Sequence, residues 1–247
     1  MVFAQINRQR QKVDNFIRIL SRFIFDLVFP IGCLNCNKEG VHFCSDCQTK
    51  LKKIDKQKCL VCRSPSPFGK THPGCASRNK IDGVVSALSY QDALVKKIIA
   101  VFKYKFIEQL SQILAESLAD QISQQGLTEY FHDFVLVPVP LHKRRLNWRG
   151  FNQSELLADS LTKILNLKLS KNMVTRQKHT IPQTKLSANE REKNLTDAFG
   201  GGLESPAGKK ILLVDDVVTT GATLNELAKL LKKMKATEVW AITVGHG

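Results

Sequence analysis

The chain is 247 residues long, and its composition is that of a folded globular protein, with 43% hydrophobic and 24% charged residues. These values exclude disordered, collagen-like and coiled-coil chains. Lysine and arginine number 37 against 22 aspartate and glutamate, which gives a formal net charge of +15. So large an excess favours a polyanionic partner, either nucleic acid or a phosphorylated ligand, although such charge can also serve only to keep a protein soluble.

The first predicted element is an amphipathic helix within residues 1–32. Its apolar residues share one helical face, at Phe16, Ile19, Leu20, Phe23 and Leu27. Arg18, Arg22 and Asp26 interrupt the stretch, so it can neither span a bilayer nor form the core of a signal peptide. We therefore expect a cytoplasmic protein without an integral membrane segment. The helix is expected to pack on the protein body, with docking to a membrane or a partner as the alternative.

All seven cysteines lie before residue 80, which marks residues 33–80 as a separate small module. The first cluster consists of two C-x2-C pairs, formed by Cys33, Cys36, Cys44 and Cys47. Paired thiolates at this spacing are typical ligands of one tetrahedral zinc ion. Because the set leaves no open position for a substrate, the ion would hold a segment too small for a good hydrophobic core.

A second cluster offers three thiolates and one imidazole, from Cys59, Cys62, His72 and Cys75. This is also an accepted zinc combination, so we expect one or two structural ions in total. Free buried thiols and disulfides are the alternatives. The disulfide alternative is weak, because the sequence carries no secretion signal.

From residue 81 onward, runs rich in strand-forming residues alternate with amphipathic helical patterns, which predicts an α/β domain with a mainly parallel sheet over residues 81–247. Strands are predicted at 84–90, 134–139, 210–214 and 238–244. Helices are predicted at 93–102, 107–125, 153–167 and 222–235. The glycines at 200–202 and the segment 205–208 are predicted to form turns or a mobile loop.

A loop of acids, hydroxyls and glycine follows the strand at 210–214 and leads into a helix. Asp215 and Asp216 come first, and two carboxylates in a row suit the vicinal hydroxyls of a ribose. Residues 219–223, called here the 219–223 loop, bring threonine hydroxyls and the free N–H groups of a helix N-terminus, which bind phosphate. The spacing predicts a site for a sugar that carries a 5′-phosphate. A loop that merely caps the helix is the alternative.

This segment resembles the phosphoribosyl pyrophosphate (PRPP) loop of type I phosphoribosyltransferases, in which two acids precede a Thr-Thr-Gly turn. The resemblance implies that Asp215 and Asp216 hold the ribose hydroxyls as the catalytic acids, and that the following residues hold the 5′-phosphate. The PRPP-binding residues that it implies here are Asp215, Asp216, Val217, Val218, Thr219, Thr220, Gly221, Ala222 and Thr223.

Further strings narrow the resemblance to one family. Residues 137–145 leave a strand into a basic loop, residues 149–154 open a helix, and residues 102–104 read Phe-Lys-Tyr. Together with the paired cysteines, these strings look like the ComF family, which is associated with bacterial natural transformation. In that family a cysteine-rich zinc module precedes a type I phosphoribosyltransferase fold. The resemblance runs from about residue 29 to residue 244.

The family resemblance adds cationic and aromatic residues to the ligand site. The cations are expected to neutralise a departing diphosphate, and an exposed basic loop is the alternative. For the pair at 103 and 104, the alternative is a helix-end lysine beside a core tyrosine. The added residues are Lys103, Tyr104, His142, Lys143, Arg144, Arg145 and Arg149.

Residues 176–199 match the family pattern where type I enzymes carry a loop that closes over PRPP and excludes water. A static surface that binds single-stranded nucleic acid is the alternative. The sequence departs from the family pattern at His72, because relatives usually have a cysteine there.

The resemblance implies PRPP with Mg²⁺, or a phosphoribosyl nucleotide, as the ligand. Two functions follow from it. One is an enzyme that transfers the phosphoribosyl group to an unidentified acceptor and releases pyrophosphate. The other is a non-catalytic competence factor that senses PRPP or a nucleotide, handles single-stranded DNA during uptake and contacts other competence proteins.

Overall fold

The structure is a computed structural model that describes residues 31–105, 107–178 and 198–247. It contains two compact units, Met1–Lys50 and Leu51–Gly247. The predicted N-terminal helix lies outside the described residues. So does the larger part of residues 176–199, called here the closing segment, which are predicted to close over PRPP. Within the described part of the first unit, the short helix α1 (Ser45–Gln48) lies within the first cluster, and Gly32 forms a bridge with Glu39.

The second unit contains seven strands and six α-helices within its described residues. The strands are β1 (Gly83–Ser89), β2 (Val135–Pro138), β3 (Lys168–Leu169), β4 (Val174–Arg176), β5 (Phe199–Gly201), β6 (Lys210–Val218) and β7 (Glu238–His246). The helices are α2 (Ala93–Tyr104), α3 (Glu108–Gln124), α4 (Thr128–Phe131), α5 (Lys143–Arg149), α6 (Gln153–Leu165) and α7 (Ala222–Lys233).

Five strands form one parallel sheet in the order β1-β7-β6-β2-β3. After Lys210, the central strand β6 has a run of four buried apolar residues, as expected for a strand that is covered on both faces. On one face, Ile211 and Leu213 belong to the same core as Leu224 and Leu227 of α7. Because strand side chains alternate, the neighbouring residues of β6 point to the other face, where α6 packs. The prediction of an α/β domain with a mainly parallel sheet is confirmed.

Strand pairing moves several predicted boundaries. Strand β6 continues to Val218, because β7 runs beside it until Val218 pairs with His246. The two acids therefore lie on a strand, and only residues 219–221 form the turn. The prediction of a loop at 200–202 is wrong for Gly200 and Gly201, which belong to β5 and pair antiparallel with β4. The basic loop after β2 contains an unpredicted helix, α5.

The second cluster lies in the second unit, where residues 51–80 pair with the first strand of the sheet. Lys53 and Leu88 form an antiparallel bridge, as do Lys70 and Gly83. The boundary that the sequence places at residue 80 stays a prediction, since the compact units divide after Lys50. Among the described helices, none has the length and hydropathy needed to cross a bilayer.

Candidate functional site

The two acids lie near the carboxyl end of the central strand β6, with Asp216 buried and Asp215 half-buried. Lys103, at the end of α2, places its Nζ 3.0 Å from Oδ1 of Asp216. Burial opposes the charge of Lys103, but Asp216 outweighs it and raises the pKa of the lysine. The lysine therefore stays charged, and the ion pair joins residues that are 113 positions apart in sequence.

Two residues at the start of α6 hold the acids in place, and sequence reasoning did not assign them to the site. Gln153 donates from Nε2 to Oδ2 of Asp216 at 2.8 Å, and Ser154 donates from Oγ to Oδ1 of Asp215 at 3.1 Å. Both residues are buried. Their signal in the sequence was their position at a helix start directly after the basic segment, which brings them to the same sheet edge.

The pKa of Asp215 is raised to about 7, first because burial disfavours the carboxylate and second because Asp216 lies beside it. Hydrogen bonds from the Asp216 N–H, at 2.8 Å, and from Ser154 reduce this effect. Asp215 is therefore poised to change its protonation state near neutral pH. A buried acid whose pKa is raised in this way is typical of a ligand site.

The 219–223 loop comprises the turn after β6 and the first two residues of α7, so it contains the N-terminus of that helix. Gly221 is the N-cap with φ of +74°, a left-handed conformation that glycine adopts without steric cost. Because glycine has no side chain, residue 221 provides no side-chain cap for α7. Ala222 N–H instead donates to Oγ1 of Thr220 at 3.4 Å. The 12-residue helix α7 thus begins directly after the strand that carries the two acids, and a helix start of this kind is where proteins commonly bind anions.

The basic segment after β2 contains a histidine that caps α5, two exposed cations and two half-buried arginines. His142 caps α5 by accepting at Nδ1 from the Arg144 N–H at 3.2 Å. Lys143 and Arg144 are exposed, whereas Arg145 and Arg149 are half-buried. Arg149 donates from Nη1 to Oε1 of Gln153 at 2.8 Å, and Gln153 in turn bonds Asp216. This chain of contacts links Arg149 to the acids.

Arg176, at the end of β4, is a further cation that sequence reasoning placed only within the closing segment. Burial and the charge of Arg145 lower its pKa to about 10, while Asp215 acts in the opposite direction. Burial and the charge of Arg149 also lower the pKa of Arg145. Three arginines thus act on one another electrostatically next to the acids, and an anion bound among them would relieve their repulsion.

An exposed aromatic pair lies beside these cations. The rings of Tyr104 and Trp148 meet edge to face at 5.5 Å between centroids, and Arg149 lies over the Tyr104 ring at 5.2 Å. Tyr104 is 58% exposed and Trp148 is 72% exposed, so Tyr104 is not the core residue that the alternative required. The sequence does not reveal this pair, because its members are on different helices.

Each cysteine cluster brings four possible metal ligands together, and in each set all four ligand atoms lie within 4.8 Å of one another. Two sulfurs on one tetrahedral zinc are about 3.8 Å apart. The Sγ atoms of Cys36 and Cys44 are 3.6 Å apart, and Cys62 Sγ is 3.3 Å from His72 Nδ1. The donor sets therefore fit a metal ion, with His72 as the fourth ligand of the second cluster. All seven cysteines fall in the described residues, and all are free thiols.

Two thiols of the first cluster have pKa values that are shifted in opposite directions. Burial opposes ionisation of Cys33, but backbone N–H groups, led by that of Cys36, outweigh it and lower the pKa to about 6. Burial raises the pKa of Cys44 to about 12, and the neighbouring thiols add to this. A bound cation allows all four to be thiolates at once, which is the form that ligates metal.

The model of the phosphoribosyl transferase domain family matches residues 152–245, which include the α6 start, the acids and the 219–223 loop. Competence protein F of Haemophilus influenzae is 32% identical over 236 residues, covering 91% of this chain and 99% of that protein. The chain belongs to the competence protein F family. The resemblance drawn from the sequence is confirmed.

Two further relatives of this competence protein F family member carry related names. Competence protein ComFC of Bacillus subtilis is 30% identical and covers 81% of this chain and 82% of that protein. The DNA utilization protein YhgH of Escherichia coli is 44% identical over 110 residues, which cover 43% of this chain and 48% of that protein. The family match and the parallel sheet flanked by helices identify the second unit as a phosphoribosyltransferase fold.

Proposed function

We propose that the protein binds PRPP with Mg²⁺ at the carboxyl edge of its sheet and transfers the phosphoribosyl group to a nitrogen acceptor, releasing pyrophosphate. The observation that carries the proposal is the pair Asp215 and Asp216 directly beside the glycine-capped N-terminus of α7. A ribose 5-phosphate needs acceptors for two hydroxyls and one phosphate site close to them in the chain's fold. Mg²⁺ enters bound to the diphosphate and is therefore part of the substrate.

The proposed reaction needs positioning and charge and no covalent nucleophile. Asp215 and Asp216 accept hydrogen bonds from the ribose hydroxyls, and the 219–223 loop holds the 5′-phosphate. The bond between ribose C1 and the diphosphate breaks with its electron pair on the diphosphate, and the acceptor nitrogen bonds to C1 and loses a proton. Arg145, Arg149 and Arg176 would stabilise the charge that develops on the leaving group.

Calorimetric titration of PRPP with Mg²⁺ tests binding, and release of pyrophosphate in the presence of nitrogenous bases tests turnover. We expect micromolar binding by the wild type and loss of binding in the Asp215→Asn, Asp216→Asn double variant. No binding by folded wild-type protein would overturn the proposal. Binding without pyrophosphate release for any acceptor supports the sensor instead of the enzyme.

The raised pKa of Asp215 predicts a pH dependence of PRPP binding. Since the carboxylate is the form with full acceptor capacity, affinity is expected to increase by about tenfold between about pH 6 and about pH 8. Folding stability changes in the opposite sense: the folded state favours the protonated acid, so this contribution is lost as pH rises through about 7. Calorimetric titration of PRPP between about pH 6 and about pH 8 measures how steeply the affinity changes with pH. Inorganic pyrophosphate with Mg²⁺, which has no ribose, is the control, and an equal slope for both ligands would contradict the assignment.

A second function, binding of single-stranded DNA, is favoured by the aromatic pair. Trp148 is exposed on the basic helix α5, and Tyr104 is exposed beside it. Bases stack on such rings while cations contact phosphates. We expect oligodeoxythymidylate to quench the fluorescence of Trp148 and Trp148→Ala to weaken binding by about tenfold. Trp240 is buried at 2% exposure, so its emission serves as an internal reference. Affinity that does not fall with salt would contradict phosphate contacts.

We further propose that zinc occupies both cysteine clusters, that the protein resides in the cytoplasm and that it acts in natural transformation with other competence proteins. The fit of both donor sets supports zinc, free thiols support a reducing compartment, and the names of the relatives support the biological role.

Removal of one zinc ligand tests the structural role of the first cluster. Cys33 is buried and accepts from the Cys44 N–H at 3.5 Å, so Cys33→Ser is expected to lose about one of two zinc equivalents and to reduce solubility. Atomic emission measures the metal content. Ser45→Ala, an exposed change within the same cluster, is the control. Wild-type metal content in Cys33→Ser would contradict the assignment.

A further inference from the structure

The segment that carries the second cluster is hydrogen-bonded to β1 of the sheet. The residues that make these bonds precede the cluster in the chain. Ile54 N–H donates to the Ala87 carbonyl at 2.9 Å. The Gln57 side chain is buried and bonds Ser86 twice, accepting from its N–H at 3.0 Å and donating to its carbonyl at 2.9 Å. The cluster that follows Gln57 is thus anchored to β1.

Leu60, between two ligands of the second cluster, packs against the turn of the 219–223 loop. The Leu60 side chain is 6% exposed and belongs to the core between the sheet and α7. A β-carbon at Gly221 would overlap it, lying only 2.7 Å from Cγ. Leu60 therefore occupies the space in front of Gly221 and restricts the turn to a residue without a side chain.

A second contact, a hydrogen bond, joins the other end of this segment to α7. Lys80 N–H donates to Oδ1 of Asn225 at 2.8 Å, five positions after the last ligand of the second cluster. Asn225 N–H in turn donates to the Gly221 carbonyl at 2.9 Å and forms part of the first turn of α7. The segment thus holds the helix start both by packing and by a hydrogen bond.

We propose that the second cluster is a positioning device for the 219–223 loop, in which Leu60 is the positioning residue. A metal ion that joins Cys59, Cys62, His72 and Cys75 fixes the turn between Cys59 and Cys62, and with it the placement of Leu60 against Gly221. Metal occupancy of the second cluster thereby sets the order of the N-terminus of α7. The expected effect of this coupling on PRPP binding rests on the proposed function. The coupling between metal occupancy and the order of the helix start does not.

Amide hydrogen exchange of the ligand-free, full-length protein tests the coupling. The N–H of Asn225 is the probe, since its bond to Gly221 closes the first turn of α7. In Leu60→Ala we expect about tenfold faster exchange at this probe, with exchange in β2 unchanged, because a local opening leaves the rest of the sheet intact. Leu203→Ala, at a side chain that is 93% exposed, is the matched control. Unchanged exchange at Asn225 in folded Leu60→Ala overturns the proposal, and Leu60→Val replaces it if the alanine variant does not fold.

Metal dependence is tested at Cys62, the exposed ligand of the second cluster. Cys62→Ser is expected to lose the second zinc equivalent and to accelerate exchange at Asn225 as Leu60→Ala does. Cys62→His keeps a zinc ligand and is expected to retain both the ion and the slow exchange. Metal loss in Cys62→Ser without faster exchange overturns the proposal.

Calorimetry with PRPP and Mg²⁺ then measures the consequence for the ligand. We expect Leu60→Ala and Cys62→Ser to bind PRPP about tenfold more weakly than the wild type, as a coupling of moderate size predicts. Absence of binding in the wild type contradicts the proposed function alone, because the exchange experiment contains no ligand. Equal PRPP affinity in all variants, despite faster exchange, overturns the link between the loop and the ligand.

Discussion

Asp216→Asn is expected to weaken PRPP binding by about 100-fold or more, because hydrogen bonds to a charged group contribute about 1.5–3 kcal/mol each and the ribose hydroxyls would lose a charged acceptor. The amide retains an acceptor for Gln153 but no counter-charge for Lys103. Since the Lys103 side chain is 23% exposed, water solvates part of its charge, and we expect unfolding to become easier by only about 1–2 kcal/mol. Calorimetry and thermal unfolding measure the two effects.

A second aspartate–lysine pair in the same unit provides the matched control. Asp133 and Lys210 form an ion pair at 2.9 Å, and both side chains are well exposed, at 42% and 38%. Asp133→Asn is expected to leave PRPP binding unchanged. If Asp216→Asn binds PRPP like the wild type, the assignment of the ribose to the acids is wrong.

Gly221→Ala is expected to disrupt the 219–223 loop and to reduce PRPP affinity by about 100-fold. Two costs combine at this position: a left-handed residue with a β-carbon costs about 1–2 kcal/mol, and overlap with Leu60 adds about 1–3 kcal/mol. The turn must therefore shift away from the geometry that presents its N–H groups. Denaturant unfolding measures the stability change, and calorimetry measures the affinity.

Gly208 separates the two costs, because its φ of +72° is nearly that of Gly221 but an added β-carbon meets nothing within 4 Å. Gly208→Ala therefore reports the backbone cost alone, with PRPP binding expected to stay at the wild-type level. Equal stability losses in the two variants would show that Leu60 does not restrict Gly221. A Gly221→Ala variant with wild-type PRPP affinity would contradict the role of the turn.

The parallel sheet explains why these particular residues meet at the site. Parallel strands end at the same edge, and loops and helix starts that follow neighbouring strands meet there. The acids of β6, the start of α6 and the cations of α5 reach this edge from the central pair β2 and β6. Lys103 arrives from α2, which follows the outer strand β1.

Much of this fold is predictable, because hydrophobic periodicity reports which segments are covered. The four long strands and four long helices occur near the predicted positions. The predicted boundaries are wrong where pairing with a neighbouring strand sets the local structure. Asp215 and Asp216 look like loop residues by composition, but β7 extends beside them and holds them in the strand. Gly200 and Gly201 look like turn residues, but β4 pairs with them.

The family, the metal-ligand spacing and the order of acids, threonines and glycine could all be predicted from the printed residues, because each depends on residue types within a short stretch. The contacts between distant residues could not be predicted in this way and are known from the fold: Lys103 and Gln153 at Asp216, Arg176 near Asp215, and Leu60 against Gly221. Local patterns report burial and backbone preference, whereas strand order and helix packing set which residues meet at the edge of the sheet. These long-range contacts place the charge, the hydrogen bonds and the steric limit that the site needs.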